Sequence, residues 1–447
     1  MKIKIEKLVY EGWGLGCSKD GKVVLVKKSV PGDEVEAYIT KDKKNYANGI
    51  IKEIINPSPI RIKPRCQFFD KCGGCEHQNI PYDVQLRFKG KIFTEILKKQ
   101  RIDTKSEKII PGSNHPFFYR NSIRFFFIDK PDGDIGFARQ NFDYKKGLVE
   151  VDKCFLQSVT ANEILPKLKQ YINENVENKG SFWQLKIREG KATGDFMVEI
   201  ITSTETLPDK EGIANCIKEI TGVKSIYHTV APAKSLTNMK RYLLFGSPVI
   251  YEKIGSLLFQ ISPESFFQTN SLGVKTLYNK IKEYAAVTPK DVVLDLYCGT
   301  GSIAIYLSPM AKNVTGVEII PEAVRDAKDN AMINHIHNVE FIREDSEKYL
   351  NNNLTIKQPA SPVGGFNNSV IVIDPPRAGL RPETIESISK IDFDRLIYVS
   401  CNPATFARDI VLFEKRGIGL KKVQPIDMFP QTHHIECVGL LKRNGTG

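Results

Sequence analysis

Two apolar runs of this 447-residue chain stop at residues able to do covalent chemistry. Arg395-Leu-Ile-Tyr-Val-Ser400 runs into Cys401, followed by Asn402-Pro403. Ser369-Val-Ile-Val-Ile runs into Asp374, followed by Pro375-Pro376-Arg377. Proline cannot donate to a β-ladder, so both strands break at their carboxyl ends. Ligands of open α/β sheets bind at that edge. A cysteine there is read as a nucleophile rather than as packing. Covalent catalysis through it needs a general base for the proton that must later leave. The segment Asp427-Met-Phe-Pro-Gln-Thr-His433-His434-Ile-Glu436 supplies the candidates. His434 and Glu436 lie two apart, on one face of an extended segment, so one can act as base and the other position it.

A second constellation precedes these. Asp291-Val-Val-Leu-Asp295-Leu-Tyr297-Cys-Gly299-Thr-Gly301 reads as a strand entering a glycine turn, with a helix starting at Ser302. Glycines let backbone approach a ligand, and a helix start favours polar or anionic groups. Another strand ends at Glu318, 23 residues after Asp295. A carboxylate there can accept hydrogen bonds from ribose hydroxyls. The third strand ends at Asp345, placed for an adenine edge. The turn reads C-G-T-G rather than G-x-G-x-x-G, and is similar to the first motif of S-adenosylmethionine-dependent methyltransferases. Methyltransferases of exocyclic amines carry Asn-Pro-Pro-aromatic where this chain has Asp-Pro-Pro-Arg, which argues against an amine target.

Four further cysteines, Cys66, Cys72, Cys75 and, much later, Cys154, form a candidate ligand set. Four thiolates suit Zn²⁺ or an iron–sulfur cluster, and spacing alone leaves both open. Cys17, Cys216, Cys298 and Cys437 read as packing.

The elements that must position these groups fall into three regions. Residues 1–60 alternate like short strands, with turns at Asp20-Gly21 and Pro31-Gly32-Asp33, the pattern of a small OB-like β-barrel. The first 65 residues hold 14 Lys and Arg against 8 acids, half of the chain's net +12. Residues 61–265 read as a central α+β region holding the cysteine set. Its helix at about 80–100 has Val84, Phe88, Ile92 and Ile96 on the apolar face. Residues 266–447 alternate strands and helices, a Rossmann-like parallel sheet. A Pro/Gly/Asn-rich stretch at 355–368 reads as a surface loop, and the strand opening at Glu436 is expected to close the sheet antiparallel.

Composition excludes several classes. Charged residues are 26% and hydrophobic residues 41%, as in a folded soluble protein. No apolar run approaches a membrane span, and no signal core opens the chain. A cytoplasmic monomer without membrane contact, bound to a polyanion, is expected.

DLYCGTG, DPPRAGL, SCNPATFARD, MFPQTHHIE and the stretch at Ser265–Asn270 resemble successive motifs of the RNA uracil-C5 methyltransferase family. The resemblance covers the whole chain, and its barrel looks like the TRAM domain of the iron–sulfur branch that modifies 23S ribosomal RNA, the uracil-1939 type. Carried over, it implies Cys401 as nucleophile and Glu436 as proton acceptor. Gln268, Tyr297, Gly299, Gly301, Ser302, Glu318, Asp345 and Asp374 would line the S-adenosylmethionine donor or the target base. It favours a [4Fe–4S] cluster on Cys66, Cys72, Cys75 and Cys154. The implied substrate is 23S rRNA, with a tRNA uridine as alternative. A non-catalytic RNA-binding iron–sulfur protein is the reading from another class. C5 methylation of cytosine is weaker, because Cys401 follows Ser where cytosine enzymes present Pro-Cys or Thr-Cys.

Overall fold

The computed structural model describes residues 1–235, 238–354 and 369–445, so the loop expected at 355–368 lies outside the described residues. The amino-terminal strands form a six-stranded sheet in the order Lys2–Lys4, Glu34–Asp42, Tyr46–Asn56, Val23–Lys27, Trp13–Cys17, Lys7–Val9. Alternation puts Ile3, Val24, Val26, Val35 and Ala37 inside, forming a small core of its own. Cys17, at the end of one strand, is exposed rather than packed.

The central region contains a seven-stranded sheet running from Leu148–Glu150 to Lys240–Gly246. Helices Val159–Asn175 and Lys210–Lys218 contribute Ile164, Leu168, Ile172, Ile213 and Ile217 to the core beneath it.

The third unit is an eight-stranded sheet in the order Val339–Arg343, Asn313–Glu318, Val292–Leu296, Ser369–Ile373, Arg395–Ser400, Glu436–Arg443, Ile418–Asp427, Ile110–Pro111. Its first five strands are parallel, and the inner ones, Val292–Leu296, Ser369–Ile373 and Arg395–Ser400, are mostly apolar, as a sheet covered on both faces requires. Glu436–Arg443 enters antiparallel, as expected.

The packing divides the expected 61–265 region. Helix Tyr82–Lys99 buries Ile92, Phe93 and Leu97 against Tyr398, Phe406 and Phe413 of the catalytic unit, and Ile110–Pro111 extends its sheet. The helix's buried face also differs from the apolar stripe read in the sequence: Gln85 and Lys89 are inside, while Phe88 and Ile96 are only partly buried. Polar partners explain this. The Lys89 ammonium donates to Asp427 Oδ1 at 2.7 Å and to the Phe429 carbonyl at 3.1 Å, and Gln85 exchanges hydrogen bonds with Gln431. Lys89 and Asp427 are 1% and 0% exposed, so removing either partner leaves a buried charge, at a cost of about 3–5 kcal/mol.

Candidate active site

Cys401 stands at the end of Arg395–Ser400, where Asn402 caps the helix Pro403–Glu414 by accepting from the Ala404 and Thr405 amides. The Asn402 amide donates to the Arg377 carbonyl at 3.0 Å, fastening this turn to the Asp-Pro-Pro-Arg turn. Tyr10, from the amino-terminal barrel, donates to Asn402 Oδ1 at 2.8 Å.

Register brings Glu436 to Cys401. Ser400 faces Cys437 across the antiparallel pair, so one further step sets Cys401 opposite Glu436. Residues opposite each other share a face. Asp374 ends the neighbouring parallel strand, and Gln268 Nε2 reaches its carboxylate at 3.5 Å. Cys401, Asp374, Gln268 and Glu436 therefore share one rim.

The electrostatics of this rim are those of stacked acids. Burial, then the Asp374 charge, pushes the Glu436 carboxyl well above the usual carboxylate range, with Arg377 opposing. Asp374 retains some solvent exposure, yet burial pushes its carboxyl up to about 7. Burial and the Glu436 charge push the Cys401 thiol up to about 11, against the lowering effect of Arg377. Burial, then His433 and Arg377, pushes the His434 imidazole down to about 3, so it is neutral near pH 7. Its Nε2 lies 3.4 Å from Arg377 Nη2. A neutral ring receiving that donor positions Arg377 beside the thiol, and two carboxyls, Asp374 and Glu436, share the rim with it.

The donor side is equally formed. Tyr297, Gly299 and Gly301 all have positive φ, at 63°, 54° and 76°. A Cβ on Gly299 would meet nothing within 4 Å, so the turn faces open space there. On Gly301 it would sit 2.5 Å from the Phe341 ring. Glu318 Oε1 accepts from the Ile319 and Ile320 amides and Oε2 from Gly299, which fixes the carboxylate at the strand end. Ser302 opens the following helix, its hydroxyl 2.6 Å from that of Tyr278. Asp345 fastens the start of the next helix. Its Oδ1 accepts from the Glu347 and Lys348 amides and Oδ2 from Arg381.

Two residues that the structure brings to the site were not singled out from sequence. Arg377 follows the two prolines, and only the fold shows it beside Cys401. Asp295 is fully buried, with Oδ2 accepting from the Ala304 amide and Oδ1 lacking a hydrogen-bond partner among the described residues. A buried orphaned carboxylate oxygen beside an open glycine turn fits a ligand bearing a cationic amine, as the methionine end of S-adenosylmethionine does. We expect Gly301→Ala, strained by φ and by Phe341, to weaken S-adenosylmethionine binding roughly tenfold by calorimetry. Unchanged affinity would remove the turn from the donor site.

The four other cysteines come together too. Cys66, Cys72, Cys75 and Cys154 are free thiols lining one cavity, with Phe68 and Phe155 on its wall. The Gly74 amide donates to Cys72 Sγ at 3.4 Å and Gln78 Nε2 to Cys75 Sγ at 3.2 Å. Among the described residues, no three His, Cys, Asp or Glu side chains are placed to hold a metal ion. The segment is wired to the active site. Glu76 and His77 amides donate to the Gln431 carbonyl, and the His433 amide donates to Glu76 Oε2.

A Rossmann-like sheet with this turn, joined to a basic barrel, defines a methyltransferase that acts on RNA. The family model described as tRNA (uracil-5-)-methyltransferase matches residues 81–444, and the TRAM domain model matches residues 1–52. The chain belongs to this family of S-adenosylmethionine-dependent RNA uracil-C5 methyltransferases. An uncharacterized RNA methyltransferase of Clostridium acetobutylicum is 38% identical, over 99% of this chain and 96% of its own. One of Halalkalibacterium halodurans is 36% identical, over 99% and 96%. The crystal structure of Pyrococcus abyssi tRNA (uracil-54, C5)-methyltransferase with S-adenosyl-L-homocysteine superposes with a TM-score of 0.76. It is 29% identical, over 99% of this chain and all of the other. No helix among the described residues is long and apolar enough to cross a membrane.

Proposed function

We propose that the chain methylates C5 of one uridine through a covalent adduct between Cys401 and C6 of the base. The observation that carries this is the register that sets Cys401 opposite Glu436, with Asp374 on the same rim. Uracil C5 is a poor nucleophile. The Cys401 thiol first loses its proton to solvent, an ionisation the bound sulfonium favours, and addition of the thiolate to C6 makes the ring an enolate whose C5 can take a methyl group. S-adenosylmethionine, held along Tyr297–Ser302, Glu318 and Asp295, supplies that methyl from a sulfonium. The Glu436 carboxylate, its resting-state proton lost to solvent, then accepts the C5 proton, the ring electrons return, and the C6–S bond breaks to release the thiolate. Asp374 and Gln268 orient the base, and Arg377 stabilises sulfur while it is charged.

A 23S rRNA uridine is the first substrate to test, on the resemblance of the barrel and cysteine set. A tRNA uridine is the second, favoured by the family's description and by the Pyrococcus abyssi relative. The test incubates anaerobically purified protein and S-adenosylmethionine with 5-fluorouridine-containing fragments of each RNA. Fluorine cannot leave C5 as a proton does, so the adduct should survive denaturing electrophoresis with one RNA. Its absence with both, despite binding, would refute the mechanism.

The cysteine cavity is read as a [4Fe–4S] site held by Cys66, Cys72, Cys75 and Cys154. Four free thiols on one cavity, two of them receiving N–H donors, support a cluster over four unrelated cysteines. Methyl transfer as written has no redox step, so the expected role is to hold the RNA-binding region together. Cys72→Ala should lower RNA affinity or cooperative unfolding before it alters donor binding. An intact fold with normal RNA affinity would sink that role.

A further inference from the structure

The barrel carries an ordered row of side chains that the reaction does not use. Trp13 pairs with Lys27, Lys27 with Ile50, and Ile50 with Tyr38, so the four line up across four strands on one face. Val26, the neighbour of Lys27, points the other way and is fully buried in the barrel core. The row is therefore on the outside. Lys27 Nζ lies 4.1 Å from the centre of the Trp13 ring, and Tyr38 is 63% exposed.

Trp13, Lys27 and Ile50 of this row wall a cavity of about 520 Å³, which Tyr38 does not reach. Its other sides are Glu11, His433 and the loop bearing Tyr144 and Lys145. Tyr144 is 78% exposed, so a second aromatic ring stands at the wall with little packed on it. The cavity also abuts the reaction rim. Tyr10, next to Glu11, donates to Asn402 beside Cys401 and meets the His433 ring edge-on at 6.4 Å.

Aromatic faces interleaved with lysines are how single-stranded RNA is held: bases stack, and phosphates pair with the cations. The Glu11 carboxylate has no hydrogen-bond partner among the described residues and can accept from an exocyclic amine. We propose that this cavity is a second nucleotide site, taking an unstacked, amino-bearing base of the same RNA strand that presents the target uridine. The base lies on Tyr144, beside the Trp13 ring that Lys27 covers, with its phosphate toward Lys145. The proposal rests on the RNA methylation reading and adds a specificity site to it.

The chain has two tryptophans, Trp13 and Trp183, so Trp183→Phe leaves Trp13 as the sole tryptophan reporter. In that full-length variant, the RNA fragment that is methylated should quench Trp13 emission. Tyr144→Ala, in an exposed loop where folding is not at stake, should raise KM for that RNA roughly 5- to 100-fold at unchanged kcat. An abasic residue at one position flanking the target should cost the wild type a similar factor and cost Tyr144→Ala little more, because both remove the same contact. Uracil at that position should be disfavoured in the wild type and tolerated better by Glu11→Gln. Methylation with unquenched Trp13 and a KM within twofold in Tyr144→Ala would overturn the site while leaving the methyltransferase reading intact. Failure to methylate any RNA would refute that reading, and this one with it.

Discussion

Cys401→Ala is expected to lower methylation by roughly 10⁴-fold or more, while affinities for RNA and S-adenosylmethionine stay within a few-fold of wild type. The expectation is this large because no other group on the rim can add to C6. Glu436 and Asp374 are weaker nucleophiles, and His434 faces Arg377. The thiol's environment adds a second readout. With burial and Glu436 pushing its pKa up to about 11, little thiolate exists near neutral pH in the free protein. A bound sulfonium places positive charge near the same rim and favours the ionised sulfur. Alkylation of Cys401 should therefore be slow in the free protein and rise with pH. It should be faster with a cationic donor analogue bound than with neutral S-adenosyl-L-homocysteine. Full activity in Cys401→Ala would sink the covalent mechanism outright.

Glu436→Gln should separate the two halves of the reaction. Addition and methyl transfer need the thiol, but release needs the C5 proton to leave. The variant should accumulate the Cys401–RNA adduct on unfluorinated RNA, with product formation down roughly 10²- to 10⁴-fold. Stability should move the other way. The folded Glu436 carboxyl lies well above its unfolded value of about 4.3, so the folded state binds its proton more tightly. Its stabilising contribution is complete below that unfolded value and is lost as pH rises through the folded one. The amide carries no charge at any pH. The Tm of Glu436→Gln should therefore gain on wild type between pH 4 and 8, as followed by calorimetry. A constant Tm difference across that range would show that Glu436 is ionised and satisfied in the resting site. Rapid turnover without adduct would assign the proton to another group.

What could be read from sequence lies at strand ends. A run such as SVIVIDPP states its own end, and the residue at that end lies at the ligand edge whatever else the fold does. Cys401, Asp374 and the Gly299–Gly301 turn were legible for that reason. Arg377 carried no such signal, because an arginine after two prolines looks like any solvated residue until His434 and Cys401 arrive from elsewhere. The helix at 82–99 shows the same limit. Its apolar stripe was real, yet Gln85 and Lys89 are inside because Gln431 and Asp427 meet them there. Periodicity reports how much of a face is apolar and not which polar groups will find partners. Asp345 was read as the end of a strand, yet the strand stops at Arg343, and the helix start and the arginine that engage Asp345 belong to tertiary structure. The four cysteines sat between the extremes: their grouping was legible, while the Glu76–His433 link from that segment to the rim was not.

The strand Ile110–Pro111 completes the catalytic sheet by pairing with Ile426–Asp427, and the central seven-stranded sheet lies wholly between them in the chain. That arrangement orders events during synthesis. The barrel and the central sheet have their partners in hand soon after they emerge, so each can form while translation continues. The helix at 82–99 must wait with an apolar face uncovered until the last strands arrive. Those strands also carry Glu436. A chain that stops before residue 436 thus has its barrel and central sheet complete while the helix at 82–99 still lacks the strands that cover it.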